Sequence, residues 1–181
     1  YLSAAPEPIR VSCEYHFVDV VLSPDPNVFG HSDPLYGLKK QGSFIIQSNL
    51  DSPEAVWATI PFKSQKFIID NEIRIFYIDG FKIAKEEAST AELQFRMQGN
   101  SFQGAFFAAS PLMERSNLNE KTLFAAIESQ LRDKFGSKGG TVVEDNLRVV
   151  RRGFDEITEI TDKTLGANQL MVARKEVGIP I

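Results

Sequence analysis

The chain has 181 residues, a composition ordinary for a globular protein and a formal net charge of −4. That length suits one domain with a real hydrophobic core, and that charge leaves no basic footprint for a nucleic acid. No apolar run approaches a membrane span, and the single cysteine, Cys13, excludes both an internal disulfide and a four-thiolate iron–sulfur cluster.

A lone thiol suits a reducing, cytoplasmic setting. Cys13 and His16 are too few ligands for a tetrahedral metal centre, so no metal site is expected here and any redox centre belongs to another chain. The sequence opens at Tyr1 without a methionine, in what reads as the approach to a strand, and an N-terminal segment is expected to be missing.

In chain order, Ile9 to Tyr15 alternates and reads as an edge strand. Val18 to Leu22, Ser43 to Gln47 and Arg74 to Asp79 are short, nearly continuous runs of β-branched and aromatic residues, as in strands covered on both faces. Between the first two, "HSDPLYGLKKQG" reads as a helix, with Ser32 or Asp33 as cap, Pro34 in the first turn and Gly42 at the end. "LDSPEAVWATIP" reads as another, capped by Ser52, opened by Pro53 and followed by Pro61, with Trp57 as a packing residue. Asp79-Gly80 closes the third strand, and "FKIAKEEA" continues as a helix whose Lys85 to Glu87 form a solvated face. The alternation predicts an α/β fold with a largely parallel sheet and flanking helices.

From about Thr90 to Ile160 the pattern is helical, so the C-terminal half is expected to be mainly helical. "FRMQGNSFQGAFFAASPLM" reads as a helix buried on most of its surface, with Gly99 and Gly104 letting another backbone approach. Leu123, Ile127 and Leu131 recur every fourth residue; Val143, Leu147, Val150, Phe154, Ile157 and Ile160 step by three and four. These are two amphipathic helices. "KFGSKGGTVVEDN" between them lacks the strand-first order of a phosphate-binding loop and reads as a helix connector. In that reading Gly136 is the left-handed residue past the first helix, and Thr141 with Glu144 forms a capping box. Residues 161–181 have no clear period and read as an arm or linker, leaving 1–160 as the domain.

Arg96, Asn100 and Gln103 are spaced to share one helix face. They either face a ligand or subunit interface, or form a polar stripe that satisfies neighbouring loops. "DPNVFGHSDP" follows a strand where open α/β sheets bind ligands, which makes His31 either a ligand contact or a solvated loop histidine. No Ser/His/Asp or Cys/His set with useful spacing stands out, and no G-x-G-x-x-G follows a strand.

Several stretches match one family in order. "VDVVLSPDPNVFGHSDPLYGLKKQGSFIIQSN" is similar to a "D-v-v-v" strand, a leucine-led helix, "G-l-k-k-G" and "g-g-x-i-i-x-N-s", with Asp19, Leu35, Gly37, Leu38, Gly42 and Asn49 filling the pattern. "RIFYIDGFKIAKE" is similar to a strand ending in "I-D-A-x-x-I-A", with Gly80 in place of the commoner alanine. "RMQGNSFQGAFF" and "LRDKFGSKGGTVVEDNLRVVRRGFDEI" continue the resemblance to about Ile160. The family is that of 2-oxoacid:ferredoxin oxidoreductase gamma components.

The resemblance implies an α/β gamma domain in a hetero-oligomer of anaerobic metabolism, not catalytic alone. Such enzymes oxidatively decarboxylate a 2-oxoacid with thiamine diphosphate, pass electrons through 4Fe–4S clusters to ferredoxin, and usually release an acyl-coenzyme A. It implies that thiamine diphosphate and Mg sit on alpha and beta subunits, and clusters on beta and a ferredoxin-like delta subunit. Coenzyme A would sit at the interface with this chain. Pyruvate, 2-oxoglutarate, branched-chain oxoacids, an aryl pyruvate or oxalate would all fit. The sequence departs from the family in lacking its opening "G-G-Q-G" strand and helix. A stand-alone small-ligand or nucleotide-binding α/β module is the alternative.

Overall fold

The computed structural model describes residues 18–165. The strand expected at Ile9 to Tyr15, with Cys13 and His16, and residues 166–181 lie outside the described residues.

One sheet runs in the order β1 (Val18–Ser23), β2 (Leu38–Gln47), β3 (Arg74–Ile78), β4 (Thr158–Ile160). β1, β2 and β3 are parallel, and β4 lies antiparallel to β3. Helices α1 (Pro53–Thr59) and α2 (Phe62–Asp70) connect β2 to β3. Between β3 and β4 come α3 (Gly80–Glu87), α4 (Ala91–Arg96), α5 (Gln98–Ala109), α6 (Leu112–Arg115), α7 (Glu120–Phe135) and α8 (Gly140–Asp155). The expected α/β architecture, with its helix-dominated second half, is the one observed.

The central strands are apolar without a break because each feeds two cores. Phe44, Ile46 and Ile75 face α1 and α2, packing on Val56, Trp57, Ile60 and Ile68. Their chain neighbours Ile45, Phe76 and Ile78 face the other way, onto Ile83, Met97, Phe102, Ala105 and Val149 from α3, the α4–α5 junction, α5 and α8. Strand side chains alternate between faces, so a continuous apolar run is what a doubly covered strand requires. A third cluster joins the α7–α8 hairpin through Leu123, Ile127, Leu131, Val143 and Val150.

Ser52 caps α1 as the sequence signals, accepting a bond from Ala55 N (3.2 Å) with Pro53 opening the helix. Asp79, read only as closing the third strand, is the cap of α3 and accepts a bond from Lys82 N (3.1 Å). α5 and α8 cross at backbone contact. A Cβ added at Gly104 would lie 2.0 Å from Val150 O, and one at Gly153 would lie 2.0 Å from Ser101 O. Gly104 thus behaves as expected, whereas a Cβ at Gly99 would meet nothing within 4 Å; Gly153 is the second glycine of the crossing.

Other expectations are corrected. There is no helix over "HSDPLYGLKKQG": residues 31–37 form turns and Leu38 begins β2. Gly37 has φ 80°, Gln41 has φ 62°, and the β1–β2 register breaks between Val18 and Val20. A turn, not a helix, carries Leu35 and Leu38 into the core. Ile157 and Ile160, which continue the three- and four-residue steps expected of the last helix, lie beyond it. The chain leaves α8 at Asp155, Ile160 lies in β4, and the two residues pack on opposite faces of the sheet. Spacing of three repeats a helix face but swaps strand faces.

The glycine run does connect α7 to α8, but differently in detail. Gly136 is helical (φ −56°) and opens a short 3₁₀ turn, Gly136–Lys138. The positive φ falls at Gly139 (109°), which is also the N-cap of α8, so the Thr141–Glu144 capping box is not formed.

Candidate functional site

In an open parallel sheet the carboxyl ends of the strands leave a crevice, because successive connections diverge there. Two adjoining clefts occupy that edge. One, of about 490 Å³, is lined by the β1–β2 loop (Pro26, Asn27, Phe29, Gly30), the end of β2 and α1. The other, of about 430 Å³, is lined by Asp79, Phe81, Lys82 and Lys85 from the start of α3. Pro26, Gln47 and Asn49 line both.

Gln47 is the last residue of β2 and is only 3% exposed. Its Nε2 donates to Asp79 Oδ1 (2.9 Å) and its Oε1 accepts from Gly80 N (2.9 Å). The amide therefore ties the end of one strand to the turn after the next. The same Asp79 oxygen caps α3 through Lys82 N. That helix start is already filled by a carboxylate. The cationic groups lining this edge are the side chains of Lys82 and Lys85, neither of which has a carboxylate partner among the described residues. At Gly80 a Cβ would lie 2.3 Å from Ser101 Oγ, a hydroxyl that donates to Gln98 O (2.6 Å).

Of the residues singled out from sequence, His31 lies in the β1–β2 loop, as its motif suggested. Its Nε2 is 2.6 Å from Asp25 Oδ2, on the exposed side of the loop. The backbone N–H of Asn27 and then His31 hold the Asp25 carboxyl below its ordinary value. Arg96, Asn100 and Gln103 are not on one helix: the junction at Met97 leaves Arg96 on α4 and the other two on α5. Arg96 pairs with Glu92 (2.8 Å) on an exposed surface. Asn100 Nδ2 donates to Asn146 Oδ1 of α8, and Asn146 Nδ2 donates to Val142 O (2.6 Å). Gln103 is half-buried further along α5.

"KEE" is not a merely solvated face. Arg148 and Arg152 of α8 bind Glu87 at 2.8 and 3.0 Å, and Arg152 also reaches Glu86 (2.9 Å). Arg148 bonds the buried Asp145 (2.5 Å), which also accepts from Ser89 N (3.0 Å). Arg148 and Arg152 hold the Glu87 carboxyl below its ordinary value. Burial works to raise Asp145, but the bonds from Ser89 and Arg148 outweigh it. This network fastens α3 to α8.

Residues 1–156 match the family described as pyruvate ferredoxin/flavodoxin oxidoreductase. The chain belongs to this family. A pyruvate-flavodoxin oxidoreductase of Trichormus variabilis is 27% identical over 126 residues, covering 70% of this chain and 10% of the relative. A pyruvate:ferredoxin oxidoreductase of Moorella thermoacetica is 23% identical over 160 residues, covering 88% of this chain and 13% of the relative. The chain thus spans only 10% and 13% of the length of these two relatives. Among solved structures, subunit PORC of the pyruvate oxidoreductase of Thermotoga maritima shares the fold, with TM-score 0.50 and 21% identity over 78% of this chain and 64% of that one.

Within the family frame, sequence reasoning passed over Gln47, Lys82 and the role of Asp79. Asn49 and Asp79 stood inside the quoted family stretches, each just past a strand run, and that position was the available signal. The described residues bring together no group of three His, Cys, Asp or Glu side chains able to hold a metal. None of their helices is long and apolar enough to cross a membrane.

Proposed function

We propose that this chain is the gamma-type component, or the equivalent domain, of a thiamine-diphosphate-dependent 2-oxoacid:ferredoxin oxidoreductase. The observation that carries the proposal is the family match over residues 1–156. The substrate is a pyruvate-like 2-oxoacid or oxalate, and electrons leave to ferredoxin. One cysteine cannot supply the thiolates of a 4Fe–4S cluster, so clusters belong to a ferredoxin-like delta and a beta subunit. Thiamine diphosphate and Mg belong to the alpha and beta subunits.

The chain's own contribution is surface and shape: it walls the reaction space and excludes water without donating or accepting the reacting protons. The carboxyl edge of the sheet supports a more specific role toward coenzyme A. Its chemistry fits the residues present, since Lys82 and Lys85 offer ammonium groups to phosphates, Asn49 an amide, and Phe81 an exposed ring. Gln47 and Asp79 hold the turn that carries those lysines. Arg96, Asn100, Gln103 and His31 are proposed for subunit contact, with Arg96 and His31 the most accessible of them.

The test is reconstitution. The chain alone should be colourless and silent toward 2-oxoacids, and should copurify from its source with thiamine- and cluster-bearing partners. In the assembled enzyme, Lys82→Ala with Lys85→Ala should raise the KM for coenzyme A about tenfold while leaving the KM for the 2-oxoacid unchanged. Oxidation of a 2-oxoacid by this chain alone would overturn the assignment. An unchanged coenzyme A KM would remove the ligand from this edge.

A further inference from the structure

Beyond β4 the chain turns back over the α1 layer of the sheet. Lys163 Nζ donates to Ile73 O (2.8 Å), just before β3. Thr164 O accepts from the indole Nε1 of Trp57 (2.9 Å), a residue 107 positions earlier in sequence. Asp162 Oδ1 accepts from Thr164 N (3.2 Å) and sets the turn between the two anchors.

Trp57 lies on α1, and α1 separates this segment from the larger cleft. Val56 and Thr59 of the same helix line that cleft, while Trp57 is turned to the segment and the core beneath it. α1 has seven residues, too few to hold its own place. Its position comes from burying Val56 and Trp57 and from two side-chain bonds to Trp57. Gln65 of α2 donates Nε2 to Trp57 O (2.8 Å), and Thr164 O receives the indole.

The corner is not fully satisfied. Gln65 is completely buried, yet among the described residues its Oε1 finds no hydrogen-bond donor. An unpaired buried acceptor is unfavourable and marks where a donor or water enters if packing loosens. Lys163 is likewise held against a cost, since burial depresses its pKa despite the nearby Glu159.

We infer that residues 161–165 act as a strap that fixes α1, and through it one wall of the carboxyl-edge cleft. When the strap is seated, the indole N–H is satisfied and the cleft wall is held. When it lifts, a buried indole N–H loses its acceptor, so α1 must turn or admit water. The coupling itself needs no ligand; only its consequence for coenzyme A access rests on the function proposed above.

Trp57 is the only tryptophan of the chain, so its emission reports the strap without labelling. Lys163→Met removes the anchoring donor and Lys163→Arg keeps one; Trp57→Phe keeps an aromatic ring but removes the indole N–H. Hydrogen exchange by mass spectrometry on the whole chain then reads residues 48–59 against α5 and α8. Lys163→Met is expected to shift Trp57 emission to the red and to speed exchange across residues 48–59 by at least about fivefold, with α5 and α8 unchanged. Trp57→Phe should speed the same segment, and Lys163→Arg should restore wild-type behaviour. Exchange at wild-type rates in residues 48–59 in either variant overturns the strap. So does acceleration shared by α5 and α8, which would mean general destabilisation. No readout involves coenzyme A or turnover, so failure here leaves the proposed function standing, and failure of that function leaves the strap standing.

Discussion

Gln47→Leu tests how the carboxyl edge is built. The substitution introduces an apolar side chain of similar size and removes the acceptor for Gly80 N–H and the donor to Asp79 Oδ1. Gly80 is buried, so its orphaned N–H should cost about 1–3 kcal/mol. Asp79 is half-buried and lines the cleft, so water replaces its lost bond and the additional cost is about 0.5–1 kcal/mol. The sum, about 1.5–4 kcal/mol, corresponds to a melting temperature lower by roughly 3–16 °C for a chain of this size. Gln47→Glu separates the bond network from mere packing. At neutral pH it places a second carboxylate against Asp79, and like charges raise the pKa of the pair. A folded-state pKa raised in this way makes the variant gain stability as pH falls through it. Urea unfolding followed by far-ultraviolet circular dichroism at pH 7.5 and pH 5 reads both effects. A Gln47→Leu midpoint within about 0.5 kcal/mol of wild type, or a Gln47→Glu deficit equal at the two pH values, would refute the reasoning.

At the α5–α8 crossing the obstruction to a Cβ is backbone rather than a movable side chain, so Gly153→Ala should cost about 3 kcal/mol, read as a lowered melting temperature. Gly99→Ala meets nothing and should stabilise by up to about 0.5–1 kcal/mol. Arg148→Met strips partners from Glu87 and buried Asp145; because Arg148 is itself half-exposed, the expected loss is about 1–2 kcal/mol at neutral pH. Both carboxyls sit below their ordinary values of 4.5 and 3.8. The gap between variant and wild type is therefore full above those values and closes as pH falls through the lowered ones, in a pH series of urea midpoints. Arg96→Ala should change stability by no more than about 0.5 kcal/mol, so any defect in subunit assembly, read by size-exclusion chromatography, reports a partner contact. Asn100→Ala should cost about 1 kcal/mol by removing a donor to Asn146, measurable in the isolated chain by thermal unfolding.

The sequence by itself determined the features that are local. Three strands were legible because their apolar runs are unbroken, Ser52 because a cap acts over three residues, and α7 and α8 because their stripes recur by turns. Family membership was legible from ordered fragments spread along most of the chain. Tertiary structure alone decided what depends on distant partners. Leu38 and Ile160 became strand residues through pairing with Val18 and Ile75, which overrides a spacing that also suits a helix. Glu87 left the solvated class because Arg148 lies 61 residues away in sequence but in contact. Gln47 became the tie of the candidate site, and Trp57 the anchor of the strap, through bonds spanning 32 and 107 residues. Composition and periodicity record which residues seek burial; where a buried polar group finds its partner is set by how the chain folds back on itself.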